Sequence, residues 1–184
     1  MKDLDLLDSG DWERYLMLHG SHERLPAFLE VLDAVGLGLM SHADYWRALR
    51  ETWEMADVVH PDLSTWRALF RSARPDRGHL MDEAERAGLA ALPARVTIHR
   101  GFAHSDGMRG LAWTLDRERA EFFASDFATS GRLAWLGVRP AEGAWVSTVT
   151  VARERVLAYL DGRGEDEVIV PGMRGYRPRF ATAR

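Results

Sequence analysis

Apolar residues recur at three- and four-residue intervals in the first half of the chain and at alternate positions in the second; the change falls at Pro93. Trp12, Tyr15 and Leu16 mark a first amphipathic segment, and Phe28, Leu29 and Leu32 a second that runs into Gly36 and Gly38. A third opens at Ser41 and places Tyr45, Trp46, Leu49 and Trp53 on one helical face. A fourth follows Pro61-Asp62 with Trp66, Leu69 and Phe70, and a fifth runs roughly from Leu80 to Leu92. The aromatic stripe these segments share predicts a packed helical core ahead of a cofactor box, because apolar faces at this spacing bury against one another.

Beyond Pro93 the period becomes two. "RVTIHRGF" (95–102) alternates Val96, Ile98, Arg100 and Phe102 against Thr97, His99 and Gly101, and reads as a strand. "GLAWTLD" (110–116) reads as a second. Asp116 is placed to cap the helix that follows, on which Ala120, Phe123, Ala124 and Phe127 share a face. "GRLAWLGVRPAEGA" (131–144) reads as a loop or ragged hairpin, "WVSTVTV" (145–151) as a strand, and "RVLAYL" (155–160), "EVIV" (167–170) and "GYRPRF" (175–180) as short strands. Pro178 limits the last to an edge or bulge. Strands this dense, with one helix among them, predict an α+β fold: a mostly antiparallel sheet in residues 94–184 and a helical subdomain in residues 1–93.

Composition narrows the functions open to this pattern. At 184 residues with 46% hydrophobic and 28% charged positions the chain is an ordinary globular one. It has no cysteine, so thiolate nucleophiles, disulfides and cysteine-based zinc sites are excluded. The acidic N-terminus lacks the layout of a signal peptide, and no apolar run approaches the about 20 residues of a membrane span; a cytoplasmic location is the expectation. Up to Leu92 there are 10 basic and 17 acidic residues, a net of −7, and from Pro93 there are 14 and 11, a net of +3. The second half therefore suits an anionic ligand better than the first. The 7 histidines show no metal-ligand spacing, and GxGxxG, P-loop and GxSxG motifs are absent.

Four features carry candidate chemistry. Arg100 falls on the inward phase of its strand, where a charge is costly unless an anion, from protein or ligand, meets it. Gly101 beside it permits close approach of a ligand to backbone. Thr114 ends the second strand, where a hydroxyl is most simply a β-former. "GRGEDEVIV" (162–170) holds Glu165, Asp166 and Glu167; period two puts the glutamates on one face and Asp166 opposite. Alone, this cluster reads as a solvated turn. His99 points away from Arg100 in a regular strand.

In order, "IHRGF", "GLAWTLD" and "EDEVIVP" resemble the three motifs of the arginine–serine–glutamate class of mono-ADP-ribosyltransferases, over residues 95–171. The resemblance implies a split-sheet transferase core in which NAD is a substrate and no metal takes part. It implies that Arg100 holds the pyrophosphate or nicotinamide-ribose side of NAD, that Gly101 backbone groups bind the carboxamide, and that His99 and Trp113 lie at the same pocket. Thr114 would orient the catalytic glutamate, Glu167, and Glu165 would contact the acceptor. Ala112 stands where the family usually has its first serine, which leaves Thr114 alone or assisted by Ser147. The expected activity is transfer of ADP-ribose to a protein, often arginine, or to nucleic acid, by a bacterial or phage toxin with an antitoxin-like inhibitor as a further partner. An NAD glycohydrolase and a catalytically degenerate binding module of the same fold are the alternatives. Trp135 and Trp145, flanking the 131–144 loop, read equally as a lid or as core.

Overall fold

The computed structural model describes residues 5–7, 11–34, 40–56, 62–104, 107–108, 110–125 and 142–183. The chain forms two compact units, Met1–Asp82 and Glu83–Arg184. Their boundary precedes the Pro93 boundary expected from the change of period: the helix Glu83–Ala91 belongs to the second unit, where Leu89 and Leu92 pack on the sheet.

The first unit contains helices α1 (Trp12–Met17), α2 (Arg24–Ala34), α3 (His42–Met55) and α4 (Leu63–Phe70), and a 3-10 turn Arg77–Leu80. Ser41 caps α3 by accepting the Asp44 amide at 3.1 Å, satisfying a donor the helix cannot. Phe28, Trp46, Leu49, Trp66 and Phe70 are fully buried. Trp53 meets Trp66 and Phe70 edge-on at 5.0 and 5.1 Å, a geometry that adds about 0.5–1.5 kcal/mol per pair beyond area burial. The aromatic stripe is thus a core.

In the second unit, α5 (Glu83–Ala91) precedes strands β1 (Arg95–Phe102) and β2 (Ala112–Thr114); α6 (Arg117–Ala124) follows, then β3 (Trp145–Ala152), β4 (Ala158–Leu160), β5 (Glu167–Ile169) and β6 (Arg179–Thr182). The six strands form one sheet in the order β4-β5-β2-β1-β3-β6, antiparallel at every pairing. The fold is α+β. The last strand begins after Pro178 rather than at Gly175, since a proline supplies no ladder N–H, and it lies at the sheet edge beside β3. Residues 126–141, including Phe127, Trp135 and most of the expected loop, fall outside the described residues.

The register sorts side chains to two faces. Val96, Ile98, Trp113, Val149, Val151 and Val168 form one apolar face, joined by Leu89 and Leu92 from the α5 side. α6 covers part of the other: Ala120 and Ala124 pack with Val146, which pairs with Gly101. Two three-stranded halves, β4-β5-β2 and β1-β3-β6, meet at a single register pair, His99 with Thr114.

Gly101 is required by the helix above it. A methyl there would stand 1.8 Å from the Ala120 carbonyl oxygen and 2.7 Å from the Ala124 nitrogen, both backbone of α6. Gly101→Ala is expected to destabilise the protein at the upper end of the about 1–3 kcal/mol typical of overpacking, or beyond. Thermal unfolding checks this; an unchanged midpoint would mean that α6 can lift from the strand without cost.

Candidate active site

The seam between the two half-sheets brings together most of the residues singled out in the sequence. Thr148, His99, Thr114 and Glu167 lie side by side across β3, β1, β2 and β5, each opposite the next. Directly opposed residues on antiparallel strands share a face, so Thr114 stands beside Glu167 on one side and His99 on the other. Trp113 and Val168, one step along, belong to the apolar face. Glu167 is only 6% exposed, an uncommon place for a carboxylate.

Arg100 has the opposite phase. It follows Val96 and Ile98 and pairs with Ser147, and its guanidinium is spent on backbone: Nε donates to the Gly107 carbonyl at 2.7 Å and Nη1 to the Ala112 carbonyl at 2.6 Å. The residue as a whole keeps partial exposure, yet the guanidinium is closely enclosed, and a methyl on Gly110 would sit 2.0 Å from its Cζ. Burial pulls its pKa down to about 10, and the Glu167 carboxylate offsets part of that fall. The cation persists at neutral pH. Two of the five N–H donors that the resemblance assigns to the pyrophosphate or nicotinamide-ribose side of NAD are thus bound to the chain's own carbonyls; Nη2 makes none of the described hydrogen bonds.

Thr114 also differs from expectation. Its hydroxyl donates to the Glu165 main-chain carbonyl at 2.7 Å and accepts the Asp116 amide at 3.0 Å, so it orients the backbone before Glu167 and not the Glu167 carboxylate. The Leu115 amide adds a bond to the Asp166 carbonyl at 3.0 Å. Together they pin the acidic turn to β2. Asp116 then caps α6 by accepting the Glu118 amide at 2.7 Å.

The turn itself depends on two left-handed residues, Gly164 at φ 63° and Asp166 at φ 47°. Left-handed geometry is disfavoured for a residue with a Cβ; Asp166 is held there by the Tyr159 hydroxyl, 2.5 Å from Oδ1, and by its own amide donating to Asp161 Oδ1 at 3.2 Å. Burial and the Asp166 bond raise the Tyr159 pKa, keeping the hydroxyl a donor. The Asp161 amide in turn donates to buried Glu85 at 2.9 Å.

Sequence reading missed Arg163. Its Nη2 lies 2.8 Å from Glu165 Oε2 and 3.2 Å from Glu167 Oε2, bridging the carboxylates. The one signal was an arginine four residues before Glu167 across a glycine. The remaining expected residues sort plainly. Gly101 lends its open side to α6, not to a ligand. Trp113, 2% exposed, is a core side chain and offers no ring for stacking. His99 Nδ1 lies 2.9 Å from Thr148 Oγ1, in the same row as Glu167. Ala112 contributes its carbonyl to Arg100, and Ser147 opposite Arg100 is 1% exposed with a hydroxyl unpartnered among the described residues. Trp145 stacks on Phe102 at 5.8 Å. Among the described residues no group of three histidine, aspartate or glutamate side chains is arranged to hold a metal ion, and no helix is long and apolar enough to cross a membrane.

Comparison of the chain with protein-family models, with curated proteins and with solved structures finds no match.

Two outcomes test this geometry. Arg100→Met and Gly110→Ala should each destabilise the protein, and together should cost much less than their sum, since the methyl then has no guanidinium to displace. Additivity within about 0.5 kcal/mol in denaturant unfolding would uncouple the two positions. For His99, burial first and the Arg117 charge second lower the pKa, against the opposing pull of Asp116 and Glu121. The unfolded chain takes up a proton near the ordinary value of about 6.5 while the folded chain resists, so stability is lost as pH falls below that value. Thermal midpoints between pH 7 and 5 should fall less steeply in His99→Gln than in the parent; parallel curves would remove His99 from the acid response.

Proposed function

We propose that the chain is an NAD-dependent mono-ADP-ribosyltransferase. One observation carries this reading: Glu167 is a buried carboxylate on β5, an interior strand, directly opposite Thr114 at the seam and within the field of Arg100. The order Arg-Gly, hydroxyl strand and E-x-E strand supports it from the sequence.

Breaking the bond between ribose and nicotinamide leaves positive charge on the ribose carbon. A carboxylate already fixed and poorly hydrated stabilises that charge better than water does, because it need not reorganise as the bond breaks. Glu167 has this character. Nicotinamide departs neutral, so no general acid is required. Arg100 shapes the seam by tying Gly107 and Ala112 to β1, and supplies positive charge for the dinucleotide's phosphates. Thr114 is a positioning residue, acting through the Glu165 carbonyl. Glu165, with a side chain 21% exposed against 7% for Glu167, lies nearer solvent and takes the acceptor's proton. NAD is a substrate, and no resident metal enters the chemistry. The same proposal includes a macromolecular acceptor, protein or nucleic acid, a cytoplasmic setting, a bacterial or phage toxin role and an inhibitory protein partner.

Incubation with NAD labelled in the adenosine half, alone and with cell lysate, tests the proposal. Nicotinamide release is expected, with label retained on a macromolecule; free ADP-ribose alone would instead indicate a glycohydrolase. Glu167→Gln should lower release by about 100-fold or more in a chain that still unfolds cooperatively above the assay temperature. A parent protein that releases no nicotinamide under any of these conditions would overturn both enzyme readings.

A further inference from the structure

Arg163 stands where an acceptor has to stand. In a transfer assisted by Glu167, the attacking nitrogen must lie beside the carbon whose charge Glu167 stabilises, with Glu165 in reach of its proton. A single atom, Arg163 Nη2, already meets both conditions: 3.2 Å from Glu167 Oε2 and 2.8 Å from Glu165 Oε2. Its side chain is 42% exposed, so the guanidinium sits at the mouth of the site and Glu167 at its base. The placement is fixed by the turn. The Gly164 amide bonds the Asp161 carbonyl at 2.9 Å, Gly164 takes the left-handed conformation, and the chain folds back so that Arg163 covers the two glutamates that follow.

We propose that Arg163 is an acceptor built into the chain and is itself ADP-ribosylated, an inference that rests on the transferase reading of Glu167. In the step, Arg163 Nη2 forms a bond to the ribose carbon as the bond from that carbon to the nicotinamide nitrogen breaks. The electron pair of the broken bond neutralises the pyridinium ring, and nicotinamide leaves. The proton displaced from Nη2 passes to Glu165, so the modified guanidinium keeps a single positive charge. Once modified, Arg163 carries its ADP-ribose at the mouth of the site, and the reaction limits itself. A purely electrostatic role also accounts for an arginine between two carboxylates, but a lysine would serve that role as well, and such a role forms no covalent product.

The test is site mapping on the whole parent chain after incubation with NAD, by peptide mass spectrometry, alongside nicotinamide release. Modification at Arg163 approaching one ADP-ribose per chain is expected, at a fractional rate independent of protein concentration. Mixed with parent protein and NAD, Glu167→Gln chains should stay unmodified at Arg163, and Arg163→Lys should lose the label at position 163. Nicotinamide release with Arg163 unmodified overturns the inference and leaves the transferase proposal standing. Equal labelling of the Glu167→Gln chains overturns the intramolecular step. Absence of both release and modification overturns inference and proposal together.

Discussion

Arg100 spans a gap that the sheet leaves in its own middle. β1 and β2 share one register pair, His99 with Thr114, and beyond it the Ala112 carbonyl takes its hydrogen from the Arg100 side chain instead of from a neighbouring strand, while the Gly107 carbonyl accepts both Arg100 Nε and the Gly110 amide. A carbonyl withdrawn from water without a donor costs about 1–3 kcal/mol, so at half-buried Ala112 the guanidinium takes the place of a ladder bond from β1. Gly110 is the condition for this arrangement, because any side chain there would occupy the guanidinium's place. A seam bridged by a side chain keeps two half-sheets in one unit where the strand ladder between them is a single register pair.

The seam also determines what Thr114 does. Placed between His99 and Glu167, its hydroxyl has two backbone partners, the Glu165 carbonyl and the Asp116 amide. One bond holds the acidic turn and the other holds the entry to α6, so a single hydroxyl sets the start of β5 and the start of a helix. The turn is tethered again on its far side, where Tyr159 holds Asp166 and buried Glu85 holds the Asp161 amide. Left-handed backbone at Asp166 persists because its surroundings fix it from both ends, the usual condition for strain near a site.

Much of this fold was legible in the sequence, for physical reasons that also mark where legibility stops. The helices of the first unit announced themselves because Tyr45, Trp46, Leu49 and Trp53 recur at helical spacing, and burial of one face enforces that period. β1 and β3 were legible because eight-residue strands alternate long enough to show a period of two. The three-residue strands β2, β4 and β5 carry too few alternations to fix their ends. Within the candidate site, residue identities were readable and their partners were not. Arg100's inward phase followed from alternation, but its carbonyl partners depend on where β1 and β2 part. Arg163 escaped notice because its contacts arise from two left-handed residues in one turn, and local sequence names a turn without giving the direction in which it returns.

Among the described residues two cations act on Glu167, and they differ in how they are held. A carboxylate this buried needs nearby positive charge to offset lost hydration. Arg100 provides it from a fixed position, bound to backbone and enclosed by Gly110, so its charge remains whatever else happens at the seam. Arg163 provides it from a turn, its side chain 42% exposed where it reaches the buried Glu167 and the partly buried Glu165. On the transferase reading this division has a chemical use. The enclosed cation keeps positive charge near Glu167, and the turn arginine marks the position that a cationic substrate, or Arg163 itself as acceptor, occupies during the reaction.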